Sequence, residues 1–221
     1  MTFQFNTVFE YWPMYLEGLR TTIYVTLGSL IFSLILSIPL AMIKITKNKI
    51  LNFIGFLYTD IFRALPSLVQ IYLVYFAAPQ LFGITFTAMT SAFITLSMNA
   101  AAYISEALRG GILSVDIGQR EAAKALGISQ VDTLKDIVLP QALKAVFPSM
   151  INETIGLLKG TSLVSIIGVV DLMRASRQVM ADSYLSFEPL MVAAVIYYIL
   201  VKSMSMIGNR LEKQIRVSEI R

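Results

Sequence analysis

Long apolar runs separated by short clusters of charge organise this chain. From Thr21 to Ile43 there is no charged residue, and Lys44, Lys47 and Lys49 follow at once. Those 23 residues make about 35 Å of helix, enough to cross a hydrocarbon core of roughly 30 Å. The next charge-free run, Ala64 to Ser105, is 42 residues long and fits two spans, with a break predicted at Pro79-Gln80-Leu81-Phe82-Gly83. Ala145–Val170 carries Glu153 and Lys159, and Pro189–Gly208 carries Lys202. Each has a proline near its expected first turn, Pro148 and Pro189, where a missing N–H is harmless. The pattern predicts an all-α, polytopic bundle of five spans.

Ahead of the first span, Val8, Phe9, Trp12, Tyr15, Leu16 and Leu19 recur at helical spacing, with Tyr11 and Trp12 suited to a headgroup region. Two readings stand: a helix lying on the outer interface over residues 1–18, or an extension of the first span. Glu10 and Glu17, and the lack of a basic start, argue against a cleavable signal. Residues 19–211 then form the membrane domain, with a cytoplasmic loop over 110–147 and a tail over 212–221.

Composition agrees with the pattern. Of 221 residues 56% are hydrophobic and only 14% charged, where a soluble domain carries about a quarter. Cysteine and histidine are both absent. That excludes thiolate nucleophiles, Cys-ligated metals, Ser–His triads and HExxH zinc sites, and no catalytic or metal-binding residues stand out. Nor is there a clustered basic face with stacking aromatics, so nucleic acid is not an expected partner.

Position matters more than the net charge of +4. Lys44, Lys47, Lys49, Arg109, Arg120, Lys124, Lys135, Lys144, Arg210, Lys213, Arg216 and Arg221 fall on one side of the five-span arrangement. Only Arg20, Arg174 and Arg177 fall on the other. The excess of Lys and Arg marks the cytoplasmic side, which places the C-terminus inside and the N-terminus outside.

Within the loop, Glu121–Leu126 are good helix formers and Gly127 stands where a helix stops in the left-handed region. Ser129 is a natural N-cap with Asp132 completing an approximate capping box, and the second helix is expected to run to Pro140. Ala122, Ala123 and Ala125 keep the first helix thin, so a partner can approach closely. Two short capped helices in the cytoplasm suggest either a docking element or a solvated loop.

The spacing here is specific. Glu121-Ala122-Ala123, Gly127 and Ile137-Val138-Leu139-Pro140 resemble the EAA loop of binding-protein-dependent ABC importer permeases. Val115-Asp116-Ile117-Gly118-Gln119, the stretch from Arg63 to Gln70 and that from Lys159 to Gly168 resemble the polar amino-acid subfamily (histidine, glutamine, arginine, cystine). Ala64 departs from a more usual glycine, and Gly160 from a more usual polar residue. The resemblance implies a MetI-like type I importer fold in a bacterial inner membrane. It also implies two copies of the permease or a homologous pair, an ABC ATPase dimer and an extracytoplasmic solute-binding protein. Glu121, Ala122, Ala123, Gly127, Ile137, Leu139 and Pro140 would couple to the ATPase.

The chain has no GxxxxGK[ST] loop, so ATP and Mg would be held by the partner and no cofactor by this chain. An intramembrane charge costs roughly 2.5–3.5 kcal/mol even on insertion scales, which makes such residues functional candidates. Asn99, Tyr103, Glu106, Lys159, Thr161, Ser162 and Ser165 are therefore candidates for the solute path. Gly160 is expected to loosen its helix and free N–H groups for a carboxylate. Two structural readings compete: Glu106 pairing with Arg109 at i,i+3, and the hydroxyls bonding back to their own helix. An ATP-independent carrier or channel is the alternative function, and a membrane-embedded enzyme is disfavoured by the lack of paired carboxylates in one span.

Overall fold

A computed structural model describes residues 3–217, and in them it is helical with no strand. A short α1 (Phe5–Phe9) precedes α2 (Trp12–Ile45), followed by α3 (Lys49–Ala64), α4 (Ser67–Phe82) and α5 (Ala88–Ser114). Then come α6 (Ile117–Ala125), α7 (Gln130–Ile167), α8 (Leu172–Ser183) and α9 (Phe187–Val217). Residues 218–221 of the expected tail, Arg221 included, lie outside the described residues, as do residues 1 and 2.

The buried face of α2 is a stripe of small and polar residues, Gly18, Thr22, Val25, Thr26, Ser29, Ser33, Ser37, Ala41 and Lys44. Its exposed face carries Ile23, Leu27, Ile31, Phe32, Ile35 and Ile38. This inverts the soluble pattern, as lipid is as apolar as leucine and small residues let backbones approach. α5 follows the same rule, burying Ser91, Ala92, Thr95, Ala100, Ala101, Ala102 and Ser105 between α2 and α7. At its far end a Cβ on Gly111 would stand 2.9 Å from the Ala142 carbonyl oxygen, so only glycine permits that crossing.

Several expectations change. No helix boundary falls at residue 18: α2 begins at Trp12, because Pro13 supplies a ready first turn, and Val8 and Tyr15 are buried against α8 and α9. The outer stripe is thus divided between α1 and the first span. The second apolar segment starts earlier than the charge-free run, since α3 and α4 form one apolar pair bent by 106° at Leu65-Pro66. Pro66 forces Leu65 to an extended ψ of 135° and ends α3 there. The break at Gly83 (φ 68°) is found as expected.

Proline does not end the second loop helix either. α7 runs through Pro140 and Pro148. Ahead of Pro140 the turns of Thr133–Val138 widen, and the Leu139 N–H donates to the Leu134 carbonyl, five residues back. The same widening, Leu73–Ala77, precedes Pro79 in α4, where the Ala78 N–H donates to the Leu73 carbonyl. Wider turns make room for a ring that would clash with the carbonyl four residues earlier.

α2 and α9 are each long and apolar enough to cross a membrane, and α3–α4 and α7–α8 are so when each bent pair is taken together. α5 is 27 residues long, and its small polar residues suit the bundle centre rather than lipid.

Candidate functional site

The loop between α5 and α7 is built as the sequence predicts at Gly127 and Ser129, and Asp116 adds a cap that sequence reasoning did not name. Asp116 opens α6 by accepting the Gly118 N–H at 2.6 Å. At the other end Gly127 takes φ 73°, its N–H donating to Lys124 O at 3.1 Å and that of Ile128 to Ala123 O at 3.0 Å. These two bonds satisfy carbonyls that a helix end leaves open. Ser129 caps α7, accepting the Asp132 N–H at 3.1 Å and donating its hydroxyl to Asp132 Oδ2 at 2.6 Å.

The hairpin is tied to the spans. Ile112, Val115, Val138 and Ala142 form one buried cluster with Ile45 and Leu134 against it. The Arg120 guanidinium donates to Ile112 O at 2.5 Å. Ala123 is buried, whereas Glu121, Ala122 and Gly127 are exposed. Ile137 is half-buried and Leu139 and Pro140 exposed, all within the widened turns or at their exit. Arg120, Lys124, Ile128, Gln130, Thr133 and Leu134 line a cleft of about 400 Å³ between the two helices.

Sequence reasoning missed the apolar tip. Leu126 is 79% exposed, Val131 72% and Ile117 71%, on a segment outside the apolar spans. Their signal was available: large aliphatic residues at cap positions of a loop rich in charge.

The intramembrane candidates divide into separate groups. Lys44 has a fully buried side chain and is not a free cytoplasmic charge. Its ammonium pairs with Glu106 Oε1 at 2.6 Å and donates to Ser105 Oγ at 2.8 Å and Thr59 Oγ1 at 3.0 Å. Glu106 Oε2 takes Arg109 at 2.9 Å, the i,i+3 pair that the spacing allowed. α2, α3 and α5 are thereby pinned together, and both Glu106 oxygens are engaged.

Asn99 donates to Gln70 Oε1 at 3.1 Å and Phe62 O at 3.2 Å, and Gln70 donates to Phe62 O and Leu65 O, each at 2.8 Å. The two amides thus occupy carbonyls released at the α3–α4 bend. Tyr103 lies under the Arg63 guanidinium, 5.4 Å from its ring centre.

On α7 the hydroxyls bond back: Thr161 to Leu158 O at 2.7 Å, Ser162 to Lys159 O at 2.8 Å, Ser165 to Ser162 O at 2.7 Å. After Gly160 the helix tightens to three residues per turn over Thr161–Ile167 instead of loosening, so its N–H groups stay engaged until Gly168 (φ 99°). Lys159 and Ser162 share an open cavity of about 420 Å³ with Ala194, Tyr197, Tyr198 and Val201. Asn99, Tyr103 and Glu106 do not line it.

Residues 33–217 match the family described as binding-protein-dependent transport system inner membrane component. The chain is 39% identical over 219 residues to the arginine transport system permease protein ArtQ of Bacillus subtilis (strain 168), covering 99% of this chain and 100% of that protein. Its fold matches a solved amino acid ABC transporter with histidines at a TM-score of 0.91 and 32% identity, over 97% of this chain and 100% of the other. An inward-facing MetNI methionine ABC transporter matches at 0.79 and 20% identity, over 91% and 96%, which is likeness of fold.

Proposed function

The chain belongs to the binding-protein-dependent transport permeases, and on that premise we propose how its parts divide the work of import. It is the membrane permease component of an ABC amino-acid importer, in the bacterial inner membrane. Polar amino acids are the substrate class we favour, with arginine the solute named for the Bacillus relative.

The observation that carries the mechanism is the glycine-stopped hairpin that holds Leu126, Val131 and Ile117 out to solvent. Exposed aliphatic side chains on a charged loop call for a covering surface. A separate ATPase, one of a dimer, supplies it and holds ATP and Mg, since this chain has no phosphate-binding loop. Glu121, Ala122 and Gly127 lie on the exposed part of the same hairpin, and Ala123, Ile137, Leu139 and Pro140 frame its attachment. Because α7 runs unbroken from Gln130 to Ile167, a displacement of the hairpin is delivered to the membrane helix directly. Closing the ATPase dimer then rocks two permease copies, or this chain and a homologue, between inward- and outward-facing states.

In this reading five spans put the N-terminus outside and the C-terminus in the cytoplasm. Lys159 and Ser162, with Tyr197 and Tyr198, are the best-placed groups for the solute path, and Thr161 and Ser165 hold the tight turn beside them. Asn99, Tyr103 and Glu106 position helices around that path. The test is reconstitution of the permease in vesicles with its ATPase and solute-binding protein. ATP hydrolysis stimulated by loaded binding protein, lost in Leu126→Ser/Val131→Ser with assembly of the membrane helices intact, is the expected result. Amino-acid flux through the purified permease alone would instead favour a self-sufficient carrier.

A further inference from the structure

Three cations break the charge rule by falling on the outer side, and two of them share one helix. α8 buries Leu172, Ala175, Ser176 and Val179 against α2 and α9 and exposes Arg174, Arg177, Gln178, Ala181 and Asp182. Its apolar side is therefore spent on the protein, and its outward side is polar. A helix lying on lipid presents the opposite arrangement.

Arg174, Arg177 and Gln178 line a cleft of about 330 Å³. Among the described residues no carboxylate forms an ion pair with either guanidinium, and Asp182 stands two turns from Arg174. The helix is held rigidly. Asp171 caps it, accepting the Arg174 N–H at 3.0 Å and that of Met173 at 3.2 Å, and the Leu172 N–H donates to Thr22 Oγ1 of α2 at 3.1 Å.

About 15 Å along the helix, Tyr184 ends it. Tyr184 is the one non-glycine residue with positive φ among those described (58°), and the residue is 94% exposed. Ser183 braces that turn, donating to Val179 O at 2.6 Å and accepting the Leu185 N–H at 3.3 Å. A tyrosine kept left-handed costs on the order of 1 kcal/mol and gains nothing from burial here. Tyrosine and arginine are the residues that dominate protein contacts.

We propose that the outward face of α8, from Arg174 and Arg177 to Tyr184, is the docking surface for an acidic lobe of the extracytoplasmic solute-binding protein. The inference rests on the importer reading and on its orientation, and names the contact by which that partner is recognised. Arg174 Nη1 donates to Ser165 O at 3.4 Å, yet neither guanidinium has a carboxylate partner among the described residues. Guanidiniums so placed recognise carboxylates in bidentate fashion, and the exposed ring supplies an apolar anchor.

The reconstituted complex with its own binding protein tests this. Arg174→Glu/Arg177→Glu should raise at least tenfold the binding-protein concentration that half-maximally stimulates ATP hydrolysis and flatten its salt dependence. Basal hydrolysis should not change. Acidic-to-lysine changes in the binding protein should restore the affinity. An unchanged concentration and salt dependence, or a change that follows the anionic lipid content instead of the binding protein, would overturn the proposal.

The chain has no cysteine, so Gln178→Cys gives a single label for a membrane-impermeant maleimide. Protection from outside by loaded binding protein supports the surface even if the double variant fails to assemble. Labelling only from the ATPase side overturns the orientation. A wild-type complex that no binding protein stimulates overturns the importer reading itself.

Discussion

The hairpin between α5 and α7 and the Lys44–Glu106–Arg109 cluster both gather charge, yet they are built on opposite principles. The hairpin's caps at Asp116, Gly127 and Ser129 close through bonds between residues at most five apart, and Leu126, Val131 and Ile117 face outward. The cluster joins Lys44 and Glu106 across 62 positions and hides the ammonium completely. A locally closed element can be displaced by a partner without unmaking itself. A buried ion pair between helices instead fixes where those helices sit, and breaking it exposes its full electrostatic cost.

The largest effect expected from this contrast is at the cluster. Glu106→Leu leaves the Lys44 ammonium buried with hydroxyl partners and no counter-charge, a loss of about 3–5 kcal/mol for pairs of this kind. Unfolding of the purified permease in detergent should show it as a fall in stability. Lys44→Met/Glu106→Leu should recover most of the loss. A double variant no better than the single would mean that packing, not charge, sets the position of α2.

Next in size is the bend. Asn99→Ala removes one donor from Phe62 O and leaves the Gln70 side-chain oxygen without its bond, a cost of about 1–3 kcal/mol for a buried group left unpaired. Stability should fall by that order. Stimulated ATP hydrolysis per folded complex should stay near normal, which sets a positioning residue apart from one that touches solute. Loss of uptake at full stability would return Asn99 to the solute path.

These differences in wiring explain what the sequence made legible. The caps at Gly127 and Ser129 involve neighbours in the chain, so residue type and spacing were enough to read them. The apolar runs gave the membrane character of the bundle for the same reason. The roles of Glu106 and Asn99 depend on Lys44 and Gln70, whose proximity comes from packing α2 and α4 on α5. A charge-free window also could not find α3, because Asp60 and Arg63 near its C-terminus are exposed and break the run. Pro140 was over-read: by rule it ends a helix, and the widened turns ahead of it, like those ahead of Pro79, are a tertiary solution with no short sequence signature.

At the hairpin the stability effects are smaller and the functional ones larger. Gly127→Val puts a β-branched residue at φ 73°, about 1–2 kcal/mol of local strain, with open space around the new side chain. The membrane helices should assemble normally by thermal unfolding in detergent. Stimulated ATP hydrolysis should drop at least tenfold, since the stop that presents Leu126 is lost. Full stimulation in a folded Gly127→Val complex would remove the hairpin from the coupling path.

Ser129→Ala should produce the smallest change and the finest test. It removes the acceptor for the Asp132 N–H and the donor to its carboxylate, about 1 kcal/mol for a typical cap. The first turn of α7 frays by that amount while Gly127 and the buried cluster around Val138 remain in place. Hydrogen exchange at 130–133 should accelerate about fivefold, that being the factor for 1 kcal/mol, with α2 and α5 unaffected. If force passes from the hairpin into α7 through this turn, stimulated hydrolysis should fall several-fold as well. If it passes instead through Arg120 and the end of α5, exchange should rise with hydrolysis unchanged, and the two routes into the membrane are separated by one hydroxyl.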